Sequence, residues 1–151
     1  MGQLADITEA VKDDLILGLA EDAFTLTFVP IRLWRPLSDP EQLQKLTVSC
    51  VPAALATEAL SRSEDLIHYS VHVLVQCRIN DEKNLTADPY DTLADEIMDF
   101  FRLRSLESYT TCNAGVESVQ RPVAVSYDHL DQFRVFTTYV ELTIAVGRAA
   151  S

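Results

Sequence analysis

Two histidines four residues apart, His68 and His72 in LIHYSVHVLVQCRIN (residues 66–80), are the side chains that first suggest chemistry. On a helix this spacing puts both imidazoles on one side, as in a metal pair. Here, however, Ile67, Tyr69, Val71, Val73, Val75, Cys77 and Ile79 are apolar at every second position, the period of a strand. At about 3.3 Å per residue the two Cα atoms then stand roughly 13 Å apart, too far to share one zinc held about 2 Å from each nitrogen. The strand pattern makes them solvent-facing or interface histidines rather than ligands.

The other reactive side chains are equally scattered. Asp13-Asp14, Glu21-Asp22, Glu64-Asp65 and Asp95-Glu96 are sequence neighbours. General acid–base work needs two carboxyls converging across a cleft in different environments, so these pairs read as solvated surface. His129, the remaining histidine, falls in a turn between acidic residues, and no GxSxG elbow accompanies it. Four glycines leave no phosphate-cradling loop. Cys50, Cys77 and Cys112 are an odd number, 27 and 35 residues apart, with no CxxC pair, which fits reduced structural thiols. Asn84-Leu85-Thr86 fits a glycosylation sequon, but nothing else points to secretion. The expectation is a protein that is not an enzyme, with no catalytic residue, cofactor or metal.

Bulk properties narrow the partners. A chain of 151 residues suits one domain over residues 1–151, and burying roughly 70% of the unfolded surface needs no staple. Twelve Lys and Arg against 23 Asp and Glu give a net charge of −11. Nucleic acid is bound by releasing counterions to basic groups, so tight nucleic-acid binding is not expected, although DNA passing by without sticking is allowed. The start MGQLADITEAVKDD has no basic n-region or apolar h-region, and Asp6 stands where a myristoylation signal wants Ser or Thr. No apolar run approaches the roughly 20 residues that span a bilayer. A soluble, intracellular protein without a membrane partner is expected.

The elements that would position these residues follow from periodicity. Asp6 with Glu9 resembles a capping box, Ile7, Ala10, Val11 and Leu15 share a face, and Gly18 is a stop: a helix over 6–18. FTLTFVPIRLW changes parity at Pro30, predicting a bent or edge strand over 24–34. LTVSCV predicts a strand over 46–51. The segment AALATEALSRSED is ambiguous between helix and hairpin and is taken as a mobile excursion over 53–65, followed by the long strand 66–79. Asp88-Pro89 signals a helix over 89–104, with Leu93, Ala94, Ile97, Phe100 and Phe101 as its apolar stripe and Arg102 and Arg104 in its last turn. Strands over 116–127 (an edge or bulge at Pro122) and 133–146 complete the chain, before a short frayed tail. The fold class is α+β: an antiparallel twisted sheet of about four to five strands with two main helices packed on one face. Trp34, Thr137 and Tyr139 on the outer side of such a sheet mark either a partner surface or a face covered by the helices.

In this order, VPAALATEALSRSEDLIHYSVHVLVQ and SYDHLDQFRVFTTYVELTI make the chain resemble the phage tail terminator and tail-completion proteins of prophages and gene transfer agents, from about Ile7 to Val146. The resemblance implies a structural virion assembly protein in the tail or neck region, assembled in the host cytoplasm. It would form a ring homo-oligomer, a hexamer, that caps the tail tube, stops its polymerisation and docks to the head–tail connector protein, DNA passing through the bore. The family brings no catalytic residues. Glu58, Arg62, Glu64, His68, His72, Thr137, Tyr139 and Glu141 are the candidate subunit-interface or docking residues, and deleting residues 54–63 is expected to spare folding. Two alternatives stay open: a head-completion or neck protein at the head–tail junction, and an acidic chaperone-like intracellular binding module.

Overall fold

The computed structural model describes residues 2–37, 41–59, 64–79, 87–111, 113–123, 125–126, 130 and 134–149. Arg62, Cys112, His129 and the Asn84-Leu85-Thr86 triplet lie outside them.

The apolar residues expected on one face of the first helix do share a face. Ile7, Val11 and Leu15 are fully buried along α1 (Gln3–Ala20). The helix is longer than its signals at both ends. Gly2 occupies the N-cap position without a side-chain bond, and Asp6 lies within the first turn, so no capping box forms. Glu9 instead pairs with Lys12 and with Arg32 Nε, 2.8 Å away. Gly18 is not the stop either: a Cβ there would sit 2.7 Å from Phe24 Cε2 and 3.0 Å from the Phe100 ring, so glycine admits two aromatic rings to the helix surface. The chain turns at Asp22, whose φ of 57° is left-handed.

The strand expected over 24–34 shrinks to β1 (Pro30–Arg32). Phe24 and Phe28 anchor the preceding irregular segment by ring packing, tilted with centroids 5.4 Å apart, and Phe24 meets Phe100 edge-on at 5.2 Å. Glu96 holds the same segment by accepting from Thr25 N and from Thr25 Oγ1 (2.6 Å), bonds that replace a ladder.

The sheet has five strands in the order β1-β2-β3-β5-β4, with β2 (Thr47–Ala59), β3 (Glu64–Arg78), β4 (Ala114–Val123) and β5 (Val135–Ala149). All pairings are antiparallel except β1 with β2, so the sheet is mixed and mostly antiparallel. Within the segment read as an excursion over 53–65, residues 54–59 and 64–65 are paired and 60–63 lie outside the described residues: β2 continues to Ala59, opposite Asp65, after a register shift between Pro52 and Ala54. Deleting 54–63 therefore removes strand, and the expectation that folding survives it is withdrawn. Of the tail read as frayed, Arg148 pairs with Asp65 and Ala149 with Glu64, and residues 150–151 lie outside the described residues. β3 and β5 are in register along their full length and form the spine. β4 is an edge strand with register shifts between Val116 and Ser118 and between Gln120 and Val123, the second spanning Pro122, which has no N–H to give a ladder.

The second helix, α2 (Asp88–Phe101), begins with Ala87 at the N-cap position, so Asp88 lies in the first turn rather than capping it. It ends at Phe101, earlier than expected. Leu103 takes a φ of 56° and turns the chain, which carries Arg104 away from the helix end and toward α1. Arg121 of β4 fastens α2 to the sheet, with its NH1 2.6 Å from Asp91 Oδ1 and its Nε donating to Thr138 Oγ1 (2.9 Å).

Both helices lie on one face. Ile7, Val11, Leu15, Leu93, Ile97 and Phe101 form one cluster with Ile67, Val71, Val73 and Val75 of β3 and Val140, Leu142, Ile144 and Val146 of β5. Each such side chain removed from water contributes about 1.5–3 kcal/mol, so this row accounts for the sheet's long alternation.

Candidate functional site: the open face of the sheet

The second face of the sheet carries the alternate positions of the same strands. At one end it is covered, though not by the helices. The parallel link from β1 to β2 crosses it: Gln76 Nε2 donates to Leu37 O (3.1 Å), and Leu43, buried to 1% exposure, accepts from Arg78 N through its carbonyl (2.8 Å). Thr137 lies beneath this crossing, 5% exposed and 3.4 Å from Gln76 Nε2. It is packed structure and drops out of the docking candidates.

Beyond that crossing the face opens, and here the histidines find partners that sequence spacing did not reveal. His72 on β3 is directly opposite Glu141 on β5. Its Nε2 lies 3.2 Å from Glu141 Oε2, and its ring stacks on Tyr139 at 4.4 Å between centroids and 25° between planes. His68 reaches over β5, and its Nδ1 lies 2.8 Å from Glu117 Oε2 on β4. Glu117 is the extra residue of the first register shift in β4, which is what brings it there. In both contacts the imidazole N–H donates and the carboxylate accepts. Ser70, Thr143 and Ala145 lie between them, half-buried.

The two histidines thus serve two separate carboxylates and do not converge on one centre. Among the described residues no group of three or more His, Cys, Asp or Glu side chains is placed to hold a metal ion. The candidate residues split accordingly. His68, His72, Tyr139 and Glu141 come together on this face, joined by Glu117, which sequence reasoning missed. Glu58 and Glu64 occupy backbone positions near the far ends of β2 and β3. Residue-by-residue register was the missing signal, because the pairing of 72 with 141 is visible only once β3 and β5 are aligned.

The acidic neighbours resolve into unrelated roles. Asp14 is fully buried and accepts from Arg104 Nε (2.9 Å), Glu107 N (3.2 Å) and Ser108 N (2.9 Å), tying α1 to the turn after α2. The Arg104 guanidinium lies 4.2 Å over the Phe100 ring. Asp13 stands 3.5 Å from Lys12. Glu96 binds Thr25, and Asp95 lies 3.5 Å from Arg121 NH1. A cleft of about 230 Å³ runs between α1 and residues 108–111, lined by Asp6, Glu9, Asp13 and Thr110. Its carboxylates are partly compensated, since the Lys12 ammonium beside Glu9 holds that carboxyl below its usual range despite burial.

The buried thiols are quiet. Loss of solvent pushes the Cys50 thiol well up, which keeps it protonated and unreactive. Cys77 Sγ donates to the Tyr90 hydroxyl (3.3 Å), and this contact, with burial, pushes the phenol up to about 12.

No family model matches the chain, and no match to a curated protein is found. Among the described residues no helix is long and apolar enough to cross a membrane.

Proposed function

We propose that the protein is a structural virion assembly part of the tail-terminator kind: copies join in a ring that caps the tail tube, stops its polymerisation and docks to the head-proximal connector. The observation that carries this reading is the open sheet face, where two His–Glu pairs and a stacked Tyr139 lie on a rigid antiparallel spine that no helix covers among the described residues. Fixed polar pairs beside an aromatic ring suit a surface that must meet a partner in one register. The chain's net charge of −11 suits a ring through which DNA slides without sticking.

Native mass spectrometry over a concentration series, with negative-stain imaging of the same samples, is the first test, repeated with polymerising tail tube protein present. A hexameric ring with an open bore and arrest of tube growth are expected. Closed dimers or tetramers without a bore, together with tubes that lengthen unaffected, would overturn the reading. Tyr139→Ala and His72→Ala, both half-buried, are expected to weaken ring formation about tenfold or more while shifting the melting temperature by only a few degrees. Suppression of aggregation of unfolded test proteins, without rings, would favour the binding-module alternative.

A further inference from the structure

The two edges of the sheet are treated differently. On the β4 side the edge is blunted by two register shifts and Pro122. At its start it is also bonded by the turn after α2, with Leu106 N donating to Ala114 O and Val116 N to Arg104 O, both at 2.8 Å. Such devices keep an edge from pairing with a foreign strand.

The β2 side carries Pro52 and a register shift to Ala54 at the start of its outer half, and from Ala54 onward its pairing with β3 is regular. β1 pairs only with residues 48–50 of β2, and the last bond is Leu33 N to Cys50 O (3.0 Å). β2 then runs on to Ala59 bonded to β3 alone, with no other backbone bond among the described residues. Residues 53–57 are all exposed, and none is charged. Leu55 is 54% exposed along this stretch, and Trp34, 63% exposed, follows where β1 leaves the edge. An unpaired row of backbone donors and acceptors beside two exposed apolar side chains is a template for an added strand.

We propose that the outer edge of β2, residues 53–57 with Leu55 and Trp34, receives an extended basic segment of another protein by strand addition. Charge selects this occupant. The chain carries −11, and Glu58, Glu64 and Asp65 stand at the adjoining ends of β2 and β3. A second copy would bring the same acidic strand ends and the same net charge, whereas a strand of alternating apolar and Lys or Arg residues meets both the apolar side chains and the field. The inference makes no use of a ring, so it stands or falls separately from the tail-terminator reading.

The test is hydrogen exchange of the full chain with synthetic peptides of about ten residues alternating Val with Lys and Thr. One counterpart has Glu in place of Lys, and two more are N-methylated at alternate amides to block either peptide edge. The Lys peptide is expected to slow exchange of the outward amides within residues 53–57 by about tenfold or more. The Glu peptide and the N-methylated peptide whose pairing edge is blocked are expected not to, and Leu55→Lys is expected to weaken the effect. No slowing by the Lys peptide, or equal slowing by both N-methylated forms, would overturn the proposal. So would amides that become protected with protein concentration alone, because the occupant is then a second copy.

Discussion

Asp14 is the residue on which most depends locally, because a fully buried carboxylate is satisfied by one guanidinium and two backbone amides. Asp14→Ala strands those donors in a dry site and is expected to cost about 3–5 kcal/mol, read as a lower urea midpoint at unchanged slope. Adding Arg104→Met to that variant is expected to recover part of the loss, because it removes the unpaired charge. Tyr90 makes a pH prediction. Its phenol is raised from an ordinary value of 10.0 to about 12 by Cys77 and burial, so the folded chain keeps a proton that the unfolded chain loses first. The stability it lends is complete below pH 10 and falls away as pH rises toward 12. Urea midpoints across that window are expected to fall less steeply in Tyr90→Phe. Neither residue was legible in the sequence. Asp14 looked like half of a surface acidic pair, and Arg104 like the end of a helix; their meeting depends on a left-handed turn at Leu103, which no spacing encodes.

At the scale of elements, the long strands and the apolar helix faces were legible because a buried face imposes its period on many residues at once. What failed were short-range signals. The Asp6–Glu9 box, the Gly18 stop and the Asp88 cap do not set the helix ends. At Gly18 the role is set by packing, against Phe24 just past the helix and Phe100, distant in sequence. Gly18→Ala gains up to about 1 kcal/mol of helix propensity but pushes a methyl into two edge-packed rings, an overpacking that costs about 1–3 kcal/mol. A net loss of roughly 1 kcal/mol in thermal or urea unfolding is expected, with Phe100→Leu in the same chain relieving part of it. The pairing of β2 with β3 stayed undecided against a helix for the opposite reason. Its Ala-rich outer strand has helical propensity and no alternation, because it faces solvent instead of a core.

For the whole molecule, the strand order β1-β2-β3-β5-β4 has a kinetic meaning. β3 and β4 never touch as neighbours; β5, last in the chain order of the strands, slides between them and bonds both. Until it arrives, the sheet is in two parts, β1-β2-β3 and β4, and the backbone edge of β3 has nothing to zip against. Folding must therefore wait for a pairing of long sequence separation, and the waiting species is prone to stick to its own kind. A chain shortened before Val135 is expected to collect in aggregates or on chaperones, and a peptide of residues 134–149 supplied in trans is expected to rescue it, measured as recovered soluble protein with native sheet circular dichroism. Biogenesis, more than equilibrium stability, is then where this topology is most exposed to mutation, and substitutions in β5 should lower yield before they lower melting temperature.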